Sequence, residues 1–173
     1  MRENLCFIDG LDQPGKLRAF YTTASWSSWK CNKEADLMAY QELAAQFGIG
    51  ADSIVRNPQS HTANVRLLTK ENGGEGIIRE APEGYDGMIT DAIGLMPVTV
   101  EADCVPVYLY DPSHHALGMI HSGWRGTAGM IAAKAVSMMQ EHFGTDPAET
   151  VAAFGPCICG NCYEVGGELP DVF

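Results

Sequence analysis

Ala102-Asp103-Cys104-Val105-Pro106 and His121-Ser122-Gly123-Trp124-Arg125-Gly126 bracket the stretch on which the fold turns. Between them, residues 107–110 and 116–120 are apolar and read as two strands, joined by the five-residue loop Asp111-Pro112-Ser113-His114-His115. The Asp-Pro start of that loop is hairpin turn chemistry. Upstream, residues 95–101 are apolar and β-branched, which predicts a strand ending at Asp103-Cys104. Downstream of Gly126 the chain reads as helix to about Phe143. Ala128, Ala132, Ala135, Met139 and Phe143 make one apolar stripe, Lys134, Ser137 and Glu141 lie opposite, and Gly144 ends it.

Working outward, residues 6–21 alternate loosely, with Asp12-Gln13-Pro14-Gly15 as a turn between two short strands. Ser25-Trp26-Ser27-Ser28-Trp29 reads as a loop whose two Trp either pack or line a ligand pocket. Asn32 is a suitable N-cap, with Glu34 in the first turn. Leu37, Tyr40, Ala44 and Phe47 follow at helical spacing, and Gly48 ends that helix. Ile54-Val55-Arg56 and residues 64–68 read as strands on either side of Gln59-Ser60-His61. Residues 70–84, rich in Gly and Glu, read as an exposed loop. Tyr85-Asp86-Gly87 turns into the short buried strand Met88-Ile89-Thr90. Residues 151–154 form a last strand, entering Gly155-Pro156-Cys157-Ile158-Cys159-Gly160. There is no internal repeat, and no Gly-rich phosphate loop of the nucleotide-binding kinds.

A chain of 173 residues, 46% apolar and 19% charged, is long enough for a substantial core and reads as one globular domain. A net charge of −11 disfavours nonspecific binding to nucleic acid or to an anionic membrane. It also requires any site for an anionic substrate to be locally positive. No apolar run is long enough to span a bilayer and no export signal opens the chain, so a cytoplasmic protein is expected. Without export, the six cysteines do not read as a disulfide framework. Cys6 and Cys31 read as free buried thiols.

Three chemistry-bearing residues stand at the central motifs. Cys104 and His121 each fall at the end of a predicted strand, so neighbouring strands would bring both to one point. With His61 they would give zinc three ligands and leave the fourth tetrahedral position open, the pattern of a catalytic site. The local sequence alone leaves His61 readable as an ordinary core or surface histidine. Thiol catalysis is the rival assignment, with Cys104 as nucleophile and His121 as its base. A dyad has no need of a second imidazole. Arg125, just before the predicted helix, makes an anion pocket with the free N–H groups of the helix start, and phosphate is a natural occupant. It also reads as an ion-pair partner for Asp103. His114-His115 reads as a solvated loop tip or a metal site. Cys157, Cys159 and Cys162 read as free thiols or as a separate metal site without an evident fourth ligand.

Tyr85-Asp86-Gly87-Met88-Ile89-Thr90, Ala102-Asp103-Cys104-Val105-Pro106, His121-Ser122-Gly123-Trp124-Arg125-Gly126 and Gly155-Pro156-Cys157-Ile158 occur in the order seen in the laccase-domain family, as does Tyr163-Glu164-Val165-Gly166. The resemblance runs from about Gln59 to Phe173. That family carries two names, multicopper polyphenol oxidoreductase and zinc-dependent purine nucleoside phosphorylase. Ser122 stands where many members have Ala. The segment around 25–32 lacks the family's Gly- and Ser-rich loop, so no substrate contacts carry over from it. Members usually continue well beyond a point like Phe173, so the expected domain, residues 1–173, lacks its C-terminal part.

The resemblance implies a mixed α/β fold, with helices outside paired β-layers. It makes His61 a ligand with Cys104 and His121. It implies a zinc enzyme of nucleosides and phosphate, phosphorolysing adenosine or inosine, with adenosine deamination and methylthioadenosine cleavage as side activities. Cys104, Asp103 and Arg125 are the expected catalytic residues, and Arg125 the expected phosphate-binding one. Two alternatives stand beside this: an amidase that edits peptidoglycan precursors with the same site, and a non-catalytic metal-binding module. A multicopper oxidase needs many His ligands, and only five His are present, so copper fits less well than zinc.

Overall fold

The computed structural model describes residues 4–23, 33–167, 169 and 172–173. The expected loop at Trp26 and Trp29, the thiol of Cys31 and the cap at Asn32 lie outside the described residues. The hairpin at the centre of the sequence reading is the centre of the fold. Strand β7 (Val105–Asp111) pairs antiparallel with β8 (Ala116–Ser122), from Val105 opposite Ser122 to Asp111 opposite Ala116. Around it lies a five-stranded sheet. On the β8 side come β5 (Gly87–Thr90), antiparallel to β8, and β4 (Val65–Leu67), parallel to β5. On the β7 side, β9 (Val151–Phe154) is the edge, with Phe154 68% exposed.

Alternation along the hairpin sorts the side chains into two layers, because successive residues of a strand point to opposite faces. Val107, Leu109, Ala116 and Ile120 pack on helix α3 (Ile131–Phe143) through its buried Ile131, Ala135 and Met139. Tyr108, Tyr110 and Leu117 face the other way, onto Ile8, Leu11 and Ala19. That second layer contains β1 (Leu5–Phe7) paired with β2 (Phe20–Thr22), and β3 (Ile54–Arg56) paired in parallel with β6 (Met96–Val98). Helix α1 (Lys33–Gln46) closes on this side, where Phe47 stacks on Phe20 with ring centroids 4.8 Å apart. The fold is therefore mixed α/β with paired β-layers, as expected. His121 follows Met119 by two residues, so it lies on the face away from α3.

Four expectations are corrected. The strand over 95–101 is only β6, and Cys104 leads into β7 rather than ending β6. Gln59 is the reason: its side chain donates to the Val100 carbonyl at 2.7 Å and accepts from the Val100 N–H at 2.8 Å, taking the bonds a strand neighbour would use. The helix after Gly126 begins earlier, as α2 (Trp124–Ala128), so Arg125 lies inside it. It breaks at Met130, whose φ of +60° is left-handed, before α3 begins. The break lets α2 sit close to residue 63, where a Cβ on Gly129 would come within 2.5 Å of Ala63 Cβ. Residues 70–84 are not wholly exposed, since Arg66 draws Glu75 inward through a 2.6 Å ion pair. Among the described residues no helix is long and apolar enough to cross a membrane.

Candidate metal centre

One strand imidazole, one thiol and one loop imidazole meet where β7 begins and β8 ends. The register sets Pro106 opposite His121, which brings Cys104, two residues before Pro106, alongside the end of β8. His61 arrives from the loop after β3 with φ +59°. One donor atom each from His61, Cys104 and His121 lie within 4.8 Å of one another. The two imidazoles stand edge to face, with centroids 4.9 Å apart. His121 is buried, Cys104 half-buried and His61 exposed, so the group opens toward solvent on the His61 side.

Asp86 holds two of the three in place. Its buried carboxylate accepts from the N–H groups of His61 at 3.0 Å and Thr62 at 2.7 Å, and from the Thr62 hydroxyl at 2.8 Å. The Ser60 N–H adds a bond at 3.2 Å. The same carboxylate lies 2.8 Å from His121 Nδ1. Burial alone would raise its pKa, but the Thr62 N–H, the His121 ring, the Thr62 hydroxyl and the His61 N–H together lower it. An ionised Asp86 fixes the proton on His121 Nδ1 and leaves Nε2 with its lone pair inward, the arrangement of a metal-ligating imidazole. It also pins the loop backbone in the left-handed turn at His61.

Glu101 faces His121 from the other side, with Oε2 3.6 Å from Nε2. Its side chain is 12% exposed, and neither carboxylate oxygen meets a hydrogen-bond partner among the described residues. Burial pushes its pKa up to about 7, with the Asp86 charge adding and the nearby Thr99 hydroxyl opposing. Burial also raises the Cys104 thiol, helped by the charges of Glu101, Asp103 and Asp86. Such surroundings hold Cys104 protonated unless a cation enters, which weakens the nucleophile reading and fits a metal. The donor set passes a second test at Gly123. A Cβ there would lie 3.0 Å from His61 Cδ2 and 3.1 Å from Cys104 Sγ, so any side chain at this position would crowd the two ligand residues. The group of His61, Cys104 and His121 could hold a metal ion.

The other expected residues do not join it. Arg125 is exposed and stacks on its neighbour Trp124, 4.0 Å from the ring centroid. Among the described residues no ion pair joins it to Asp103, whose carbonyl instead accepts the Ile158 N–H at 3.0 Å. His114 and His115 are committed to the hairpin tip through Asp111 and Tyr110. Tyr163-Glu164-Val165-Gly166 meets Trp124 and Leu169 around a cleft of about 200 Å³. Asp86 and Glu101 were not among the expected site residues. Each carried a faint signal, an acidic residue at the border of an apolar run.

The family model described as multi-copper polyphenol oxidoreductase laccase matches residues 22–173. The chain belongs to that family. Among the proteins it is similar to, purine nucleoside phosphorylase YlmD of Bacillus subtilis is 32% identical over 143 residues, covering 81% of this chain and 51% of that protein. Adenosine deaminase RL5, from an unknown prokaryotic organism, is 35% identical over 133 residues, covering 76% of this chain and 50% of that one. The crystal structure of YlmD from Geobacillus stearothermophilus superposes with a TM-score of 0.77 at 33% identity, over 82% of this chain and 53% of that one. Neisseria meningitidis protein NMB0706, at 23% identity, shares the fold with a TM-score of 0.79, over 99% of this chain and 70% of that chain. The chain spans about half the length of the curated relatives it matches.

Proposed function

We propose that this chain carries the metal centre of a zinc-dependent purine nucleoside phosphorylase acting on adenosine or inosine. The observation that carries the reading is the His61–Cys104–His121 group, with His121 Nε2 directed inward by Asp86. Two imidazoles and one thiolate are a zinc donor set with a fourth position left for water or substrate. Of the five His residues, only these two reach the group, which favours one zinc over several coppers. Zinc there would act as a Lewis acid toward the substrate oxygen or phosphate.

The chain's own residues divide the rest of the work. Asp86 orients His121. Glu101, with buried and unpartnered oxygens, accepts a hydrogen bond or proton from the group bound at the open position. Arg125, exposed and still charged where it stacks on Trp124, supplies the positive charge that phosphate requires on a chain of net charge −11. Names of the relatives, most of them purine nucleoside phosphorylases, support the substrate class. Metal-loaded protein should release adenine and ribose 1-phosphate from adenosine only when phosphate is present. No phosphate-dependent adenine release would reject the reading.

Deamination of adenosine at the same centre is the second reading, favoured by Glu101. A carboxylate beside a metal-ligand set, not itself a ligand, is the acid–base arrangement of zinc deaminases. Inosine appearing from adenosine without phosphate, and lost in Glu101→Gln, would favour it.

A further inference from the structure

Cys159 and Cys162 stand in Cys159-Gly160-Asn161-Cys162, apart from the metal-ligand group. Their Sγ atoms are 3.1 Å apart, against the roughly 2.05 Å of a disulfide bond. A backbone bond from the Cys162 N–H to the Cys159 carbonyl, at 2.9 Å, closes the turn between them. Both are free, exposed thiols. Nothing lies within 4 Å of where a Cβ on Gly160 would be, so the turn has space to tighten. The segment is held upstream, by Gly155 N–H to the Pro106 carbonyl and Ile158 N–H to the Asp103 carbonyl, each 3.0 Å.

Two further facts narrow its chemistry. Cys157 does not complete a three-donor group with this pair among the described residues, and two thiols are too few for a closed tetrahedral metal site. The hydrogen bond between the two sulfurs lowers the Cys159 thiol and raises that of Cys162. At 3.1 Å, a thiol that attacks a disulfide has its resolving partner already beside it.

We propose that Cys159 and Cys162 form a reversible dithiol–disulfide site that exchanges with small disulfides such as oxidised glutathione. The Cys159 thiolate attacks one sulfur of oxidised glutathione, forming a mixed disulfide and releasing one glutathione thiolate. Cys162 loses its proton to solvent and attacks the Cys159 sulfur, expelling the second glutathione. The two protein thiols lose two electrons, and one glutathione disulfide is reduced to two thiols. The product ties residues 159 and 162 into a covalent loop beside the strand that begins at Val105.

The full chain, equilibrated in buffers of rising oxidised-to-reduced glutathione ratio, is alkylated, digested and weighed. The peptide carrying Cys157, Cys159 and Cys162 should lose two hydrogens and take a single alkyl group, on Cys157, while Cys6 and Cys104 stay alkylated. Cys162→Ser should stop at a glutathione adduct on Cys159. Cys159→Ser should leave Cys162 reduced. Both residues are exposed, so circular dichroism should match the parent in each variant. Full alkylation of Cys159 and Cys162 across the series would overturn the proposal. So would pairing of either with Cys157, or equal adducts on the two single variants.

Discussion

Two carboxylates flank the same imidazole, and they are opposites. Asp86, on the Nδ1 side of His121, is met by three backbone N–H groups, a hydroxyl and the ring. Glu101, on the Nε2 side, is met by no hydrogen-bond partner among the described residues. The pKa values part accordingly, lowered for Asp86 and raised to about 7 for Glu101. A buried charge is tolerable when its hydrogen-bonding capacity is filled and costly when it is not. The Asp86 side of the centre is therefore finished framework. The Glu101 side is built to be completed by something that binds.

The largest effect that would sharpen this contrast is removal of a donor. Cys104→Ala leaves two imidazoles, too few for tight tetrahedral binding. Elemental analysis should find it nearly metal-free, while His142→Ala keeps full occupancy and circular dichroism stays close to the parent in both. Metal retained in Cys104→Ala would dissolve the centre as described. His61→Ala and His121→Ala should behave like Cys104→Ala.

Asp86→Asn comes next, because it attacks the finished side. Loss of a buried charge that serves His61, Thr62 and His121 at once should cost about 3 kcal/mol in urea unfolding. Metal affinity should also fall about 10–100-fold, the usual cost of losing an orienting carboxylate. Because the pKa of Asp86 is lowered by folding, its contribution is present above the ordinary carboxylate value and lost as pH falls through the folded one. Acid unfolding of the parent should therefore be steeper than that of Asp86→Asn. Equal acid sensitivity in the two would remove Asp86 from its framework role.

On the unfinished side the sign reverses. Glu101 titrates near pH 7 in the folded chain and near its ordinary value when unfolded, so its burial costs stability that grows as pH rises through that window. Glu101→Gln should stabilise the metal-free chain at pH 8 by roughly 2 kcal/mol and leave it nearly unchanged below about pH 4. Thermal unfolding at the two pH values tests this. A variant that is destabilised at pH 8 would mean that Glu101 has a partner after all.

The smallest change is steric. Gly123→Ala places a methyl group against His61 and Cys104 without altering any donor. Metal affinity should fall by about 10-fold, the scale of a disturbed surrounding shell, with the fold intact. Competition with a coloured chelator would read it, and unchanged affinity would show that the two donors can move apart freely.

The hairpin, α3 and the buried strand at Met88 were legible because their patterning repeats the period of the element. Cys104 and His121 were legible because they sit at the ends of that pattern. The boundary between β6 and β7 was not, because Gln59, 41 residues away, takes the Val100 backbone bonds. His61 stood out through resemblance rather than local sequence, since its left-handed turn is imposed by Asp86 from 25 residues away. Asp86 and Glu101 were missed for the same reason. What distinguishes them is how many donors surround each carboxylate, and linear sequence does not count those.

The edge strand β9 has a bearing on how the protein must be handled. Val151 and Phe154 present an apolar rim along a row of backbone groups that, among the described residues, pair only on the β7 side. Such an edge is a template for another strand. What opposes contact between two such edges is the mutual repulsion of molecules carrying −11 each. That repulsion reaches only about 10 Å at 0.1 M salt and about 3 Å at 1 M. Concentrated stocks of this chain will therefore stay dispersed at low ionic strength and turn cloudy as salt is added, the reverse of a protein that salts in.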